Sequence, residues 1–313
     1  MNKPYYIITQ GVIYRKGNTV YYQNKNLRKA LPINTISEMH CISKTTVKSG
    51  AAYFLMKKGI PVFFYDEYGN YVGQLSPRKQ LISGTVLVKQ VEKYLQPDER
   101  RSIAKEMISG VRHNLEWCIK QKLTVPEKQD FEGINAIRQY EGMLWDEFYN
   151  VFSQQLKSLS FKTRTRRPPK DELNALISFG NSLLYSVSVK EIYQTYLSPE
   201  ISYVHEPLER RYSLSLDIAD IFKPIFIFPL IRELVNKRII NNKHFRKIDD
   251  AVLLNDKGKA IFLEYFDKRL EKTVKHKTLN RKVSYRHLIR LELYKLVKHV
   301  LDDQEYLSFK AWW

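Results

Sequence analysis

The pattern of apolar and polar positions changes character near residue 82. Before that point the apolar residues gather in short runs rich in β-branched and aromatic side chains: Tyr5 to Thr9, Val12 to Arg15 and Val20 to Gln23. Such runs read as strands. Lys16-Gly17-Asn18-Thr19, between the last two, reads as a hairpin loop, so a β-meander is expected here. From Thr46 to Lys58 the spacing of Val47, Ala51, Phe54 and Leu55 becomes helical. Gly59 then ends the helix, Ile60 to Tyr65 predicts another strand, Asp66 to Asn70 a turn, and Tyr71 to Leu75 a strand.

From Ser83 onward apolar positions recur every three or four residues in long segments. Helices are predicted over Val86 to Leu95, Asp98 to Lys122, Gly133 to Leu159, Lys170 to Leu197, Ser215 to Asn241, Lys257 to Glu271 and Val283 to Leu301. The predicted fold class is therefore α+β. A small β-rich N-terminal domain, residues 1–82, precedes a larger all-helical domain, residues 83–313. The junction carries Pro77 and Gly84 but is too short for a flexible linker, so the two domains are expected to pack closely.

Composition agrees with a folded chain: 43% of the 313 residues are apolar, with 21 Tyr and 15 Phe among them. Charge adds a functional clue. Lys and Arg number 52 against 33 Asp and Glu, a net charge of +19, and a surplus of that size favours polyanionic partners, nucleic acid first. The start, MNKPYYIITQGVIY, lacks the charged and apolar regions of a signal peptide. The most apolar run, Ile225 to Ile231, contains Pro229 and falls far short of the ~20 residues that span a bilayer. With only Cys41 and Cys118, no disulfide framework or cysteine zinc site can be built. A cytoplasmic location without membrane attachment is expected, both cysteines serving as packing residues.

Two basic segments suggest where a polyanion is held. FKTRTRRPPK, residues 161–170, has Arg164, Arg166 and Arg167 among its five cations, and its consecutive prolines make it a loop between helices. Lys268 to Arg290 carries a second concentration, Lys268, Arg269, Lys272, Lys275, Lys277, Arg281, Lys282, Arg286 and Arg290, with Tyr285 among them. Neither has a base-reading signature, so contact there should position nucleic acid without specifying its sequence.

The most informative stretch for chemistry is HEPLERRYSLSLDIADIFKP, residues 205–224. Asp217 and Asp220, three apart, share one face of a helix. Leu214, Leu216, Ile218, Ile221 and Phe222 around them are apolar, so at least one carboxylate faces a partly buried site that needs a cation, either a metal or an arginine. His205 stands twelve residues before Asp217, far enough for its imidazole to fold back against the helix. Spacing alone supports no more than that, and it gives no reason to single out Glu141 within INAIRQYEGMLWDEFYNVF.

The motifs together resemble those of the CRISPR-associated adaptation integrase family, CRISPR-associated protein one. The resemblance runs along nearly the whole chain: a Gly59-Ile60-Pro61-Val62 segment, QYEGMLWDEF around Glu141, RRPPKDELNALISFGNSLLY from Arg166 to Tyr185, the isolated His205, and SLSLDIADIFKP from Ser213 to Pro224. RQYEGMLWDEFY and the terminal YLSFKAWW look most like members beside a type I interference system, of the I-B-like branch. The family fold is a β-rich domain followed by a helical catalytic one, with homodimers formed largely through the first. Its metal ligands carry over to Glu141, His205 and Asp220. Asp217 matches an accessory aspartate, Lys223 a basic position suited to a phosphate, and Asn174 a packing or orienting position. One departure stands out: in many members a glycine and a basic residue follow the histidine, whereas here Glu206, Pro207 and Glu209 precede Arg210 and Arg211. Those two arginines join Arg164, Arg166 and Arg167 as candidate DNA contacts.

Two carboxylates and an imidazole suit Mg²⁺ or Mn²⁺. The resemblance implies an endonuclease and integrase that inserts short foreign DNA, spacers, into a CRISPR repeat array by attack of a 3′-hydroxyl on phosphodiesters. It also implies assembly with CRISPR-associated protein two. The same ligands would serve a general metal-dependent nuclease or an enzyme resolving branched DNA, and the charge alone would serve a non-catalytic DNA-binding scaffold.

Overall fold

The structure is a computed structural model and describes residues 2–78, 81–128, 130–159, 161–207 and 212–313. Its first part is built from eight strands and a helix. In chain order these are β1 (Lys3–Ile7), β2 (Gly11–Lys16), β3 (Thr19–Gln23), β4 (Arg28–Ala30), β5 (Ile36–Cys41), β6 (Thr45–Val47), α1 (Ser49–Lys57), β7 (Val62–Tyr65) and β8 (Tyr71–Leu75). They form two four-stranded sheets, ordered β1-β5-β7-β8 and β4-β3-β2-β6.

The hairpin expected at Lys16 to Thr19 is present, with Gly17 at φ +60° in a turn that pairs Lys16 with Thr19. The meander differs from expectation. It runs through β2, β3 and β4, while β1 leaves it to pair in parallel with β5. The sequence pattern misses β5 because Ile36-Ser37-Glu38-Met39-His40-Cys41 is buried on both faces and includes a carboxylate and an imidazole, so no alternation marks it. The fully exposed Arg28-Lys29-Ala30 of β4 lacks any apolar signal at all.

The second part contains α2 (Gly84–Leu95), α3 (Pro97–Ile119), α4 (Ile134–Gln154), α5 (Glu172–Tyr193), α6 (Ser213–Asn236), α7 (Asp256–Glu271) and α8 (Tyr285–Val300). Four begin at side-chain caps: Ser83, Asp171, Asn255 and Ser284 each accept a hydrogen bond from the first turn. Two short antiparallel hairpins interrupt this helical part, β9 (Phe245–Ile248) with β10 (Ala251–Leu254) and β11 (Thr273–Lys275) with β12 (Lys282–Ser284). At the centre lies α6, apolar on nearly every side and packed between α3, α5 and α7. It continues through Pro224 and Pro229 because its surroundings hold it on all sides. Among the described residues, no helix is long and apolar enough to cross a membrane.

The two parts meet through a polar seam rather than a linker. Glu38 of β5, 1% exposed, is met by Lys190 of α5 and, at 2.7 Å, by Arg286 of α8. His40 stacks between Tyr6 and Phe63 and bonds the Tyr65 hydroxyl at 2.9 Å, and that hydroxyl reaches Ser186 of α5 at 2.7 Å. Ile42, Phe63 and Tyr65 belong to the same apolar cluster as the helices. This packing fixes β8, the edge strand, against α5, with the Tyr71 and Tyr185 rings 5.1 Å apart. Both cysteines are buried and free, and burial pushes each thiol up to about 12, which makes them packing residues.

Candidate metal centre

A cleft of about 1690 Å³ opens between α4, α5, the start of α6 and the β8 edge. Glu141 of α4, His205 from the loop before α6, and Asp220 of α6 converge in it, with one ligand atom from each within 4.8 Å of the others. Glu141 and Asp220 are only 9% and 6% exposed.

Asp217, one turn before Asp220, is not free to join them. Its Oδ2 accepts the backbone N–H of Tyr203 (2.7 Å) and Val204 (3.0 Å), while its Oδ1 accepts the His205 N–H at 3.0 Å and meets His205 Nδ1 at 2.8 Å. One buried carboxylate thus folds the whole 203–205 segment onto α6. With a proton on Nδ1 for this bond, His205 Nε2 is the nitrogen directed into the cleft, 4.0 Å from Asp220 Oδ2. The two aspartates of the helix therefore divide the work, Asp217 orienting and Asp220 facing the open space.

The electrostatics show a cluster short of positive charge. Burial, reinforced by Asp220, raises the Glu141 carboxyl to about 7. Burial opposes protonation of His205, but its bond to Asp217 and the charges of Asp217, Asp220 and Glu141 outweigh it and carry the imidazole to about 9. Lys223, one turn beyond Asp220, contacts its Oδ1 and lies 5.4 Å over the Trp145 ring, whose Nε1–H donates to Glu141 at 3.3 Å. Oxygen and nitrogen donors at this spacing, with no thiolate among them, fit a hard or borderline divalent cation.

The candidate arginines fare differently. Arg164 is turned inward, held by Asn174 Oδ1 at 2.8 Å and Ser178 Oγ at 3.0 Å. Asn174 also accepts the Thr165 N–H and donates to the Thr163 carbonyl, so it orients the basic loop. Arg166 and Arg167 are exposed on the cleft rim. Arg210 and Arg211 lie outside the described residues.

Sequence reasoning missed the cleft's other wall. Asn70, Tyr71 and Gln74 of the β8 region, Arg138 one turn before Glu141, and Ser178, Asn181, Ser182 and Tyr185 of α5 all line it. A signal existed for the last four: polar groups at helical spacing within an otherwise apolar helix mark a face turned toward water or ligand.

With the site built in this way, the family model for CRISPR associated protein Cas1 matches residues 5–268. The chain belongs to the Cas1 family. A Cas1 protein of Methanobrevibacter ruminantium is 43% identical over 99% of both chains, and a Cas1 endonuclease of Methanocaldococcus jannaschii is 42% identical over 98% of both. The solved structure of a Cas1 protein from Thermotoga maritima superposes with a TM-score of 0.90 at 35% identity, covering 98% of this chain and all of the other. Family membership supports a nuclease or integrase role for the chain.

Proposed function

We propose that this Cas1 chain is a metal-dependent DNA endonuclease and integrase that inserts short DNA into a CRISPR repeat array. The observation that carries the reading is the orientation of His205 by Asp217 toward Glu141 and Asp220. Glu141, His205 and Asp220 would hold Mg²⁺ or Mn²⁺, which supplies Lewis-acid polarisation of a phosphodiester and a lowered pKa for a bound hydroxyl.

The chain's own residues supply the rest. Lys223, in contact with Asp220 Oδ1, would stand beside a scissile phosphate bound there, where its ammonium would offset developing charge on the phosphorus oxygens. Arg166 and Arg167 on the rim would hold the flanking backbone; Arg210 and Arg211 are further candidates for such contacts from their charge alone. In the joining step the 3′-oxygen of the incoming strand forms a bond to a repeat phosphorus as the bond to the departing 3′-oxygen breaks. That oxygen leaves with a proton, and the number of phosphodiesters is conserved. Water in place of the 3′-hydroxyl gives hydrolysis.

Residues 1–82, which have an apolar cluster of their own, would serve as a dimerisation domain, as the family resemblance implies, and residues 83–313 as the catalytic domain. The working assembly is a homodimer bound to double-stranded DNA with CRISPR-associated protein two, in the cytoplasm. A labelled duplex incubated with a supercoiled repeat plasmid and Mn²⁺ tests this. Joined, open-circular product supports integration. Cleavage without joining, even with the partner protein present, reduces the function to a nuclease.

A further inference from the structure

The second basic segment folds into a defined projection outside the cleft. The loop between β11 and β12 is tied at both ends: the His276 N–H donates to the Arg281 carbonyl at 2.9 Å and the Asn280 N–H to the His276 carbonyl at 3.1 Å. His276 Nδ1 accepts the N–H groups of Thr278 and Leu279, each at 3.2 Å. The hairpin is held to a fixed shape.

Its charges are arranged at a cost. Lys275 stands directly opposite Lys282 in the ladder, a like-charge pair that opposes strand pairing. Lys272, Lys275, Lys277, Arg281 and Lys282 are all exposed, and none forms an ion pair among the described residues. Arg286 and Arg290, from the same segment, are instead spent on Glu38 and Glu191. Of these five cations, Arg281 weighs on two nearby imidazoles, after burial and other neighbours. Burial first, then Lys295 and Arg281, hold His276 below its ordinary range; burial, Arg290 and Arg281 do the same to His287.

Beside the hairpin lies an aromatic surface. Lys277 is 5.5 Å from the centre of the half-buried Trp312 ring, and His276 meets the same ring edge-on at 5.6 Å. Trp312 rests on Trp313, which is anchored by the Trp117 Nε1–H to its carbonyl at 2.7 Å. Clustered unpaired cations beside an aromatic ring match a nucleic-acid backbone, whose charge density is about one per 1.7 Å of duplex axis. A membrane surface would require several apolar side chains at the tip, and Leu279 is the one large exposed apolar residue there among the described residues.

We infer that the β11–β12 hairpin with Trp312 forms a second DNA-binding surface, separate from the catalytic cleft, that grips the phosphate backbone of duplex DNA without reading its sequence. None of its residues lines the cleft. The inference rests on DNA being the substrate. It assigns to this hairpin the stretch of duplex remote from the reacting phosphodiester.

The test is duplex binding by the full-length protein, in chelator so that no turnover occurs, across a salt series. K275Q/K277Q/R281Q/K282Q should bind a long duplex at least about tenfold more weakly, with a log–log salt slope reduced by ~3.6. Cleavage of a short duplex in Mn²⁺ should be unchanged. R281Q, which leaves both strands intact, should lower the slope by ~0.9, and K275Q/K282Q should melt no lower than wild type because the opposed lysines are gone. Unchanged affinity and slope in the variants would overturn the inference, as would loss of binding to an acidic protein partner with DNA binding intact. If the wild-type protein itself fails to bind duplex, it is the reading of DNA as substrate that falls.

Discussion

His205 Nδ1 lies 2.8 Å from Asp217 Oδ1, and this one bond sets which imidazole nitrogen faces Glu141 and Asp220. The same carboxylate accepts three backbone N–H groups of the 203–205 segment, so orientation of the ligand and folding of its loop depend on one side chain.

Asp217→Asn is expected to weaken Mn²⁺ binding by about 10–100-fold while leaving all three ligands in place. Calorimetric titration of the purified protein with Mn²⁺ checks this. An unchanged affinity would mean that the imidazole finds its position without Asp217.

Metal binding should be strongly pH-dependent. Without metal, the Glu141 carboxyl at about 7 and the His205 imidazole at about 9 both retain protons that a cation must displace. Mn²⁺ affinity is therefore expected to rise from pH 6 to pH 9, with proton release measurable as a buffer-dependent enthalpy. A flat profile would contradict the electrostatics of the cluster.

The seam between the two parts makes a stability prediction. Burial raises the Glu38 carboxyl, but Arg286 and then Lys190 outweigh it and hold the group at about 2, against an ordinary value of 4.5. Lys190 is itself held below the ordinary ammonium range, by burial first, which leaves Arg286 as the main support. Because the folded value is depressed, Glu38 stabilises the fold above pH 4.5, and that contribution disappears as pH falls from 4.5 toward 2. Glu38→Gln should cost about 3 kcal/mol near neutral pH by leaving two buried cations unmatched. It should also flatten the acid limb of the stability curve. Urea melts at several pH values read both effects.

Gly180, in the SFG stretch of α5, permits close approach to α6. A Cβ there would lie 2.8 Å from Ile227 Cγ2 and 3.0 Å from the Phe262 ring. Ile227 is β-branched within a helix and has little freedom to move aside. Gly180→Ala is expected to destabilise by about 1–3 kcal/mol through overpacking, seen as a lower thermal midpoint.

Much of this arrangement was legible in the sequence because periodicity reports burial. All seven long helical segments appear, with ends shifted by a few residues, since each packs on a common core, α6 on nearly every side. The polar seam was not legible. Glu38 and His40 sit in a strand buried on both sides, where charge looks like exposure and alternation vanishes. Nor could spacing separate Asp217 from Asp220, because both face the same side of α6 and only the position of the 203–205 backbone assigns them different tasks. Glu141 is distant in sequence, and its place beside the aspartates depends on how α4 crosses α6. Family resemblance supplied what local pattern could not. The unpaired cations of the β11–β12 hairpin were visible as a basic segment, but which of them are spent on internal carboxylates required the fold.

The most direct test of the metal centre is strand breakage of supercoiled DNA by wild-type protein and by His205→Ala as Mn²⁺ is titrated. The account predicts breakage that saturates with Mn²⁺ in the wild type and falls by at least about 100-fold in the variant, the two proteins binding DNA equally in chelator. Equal, metal-saturable breakage by both proteins would contradict it.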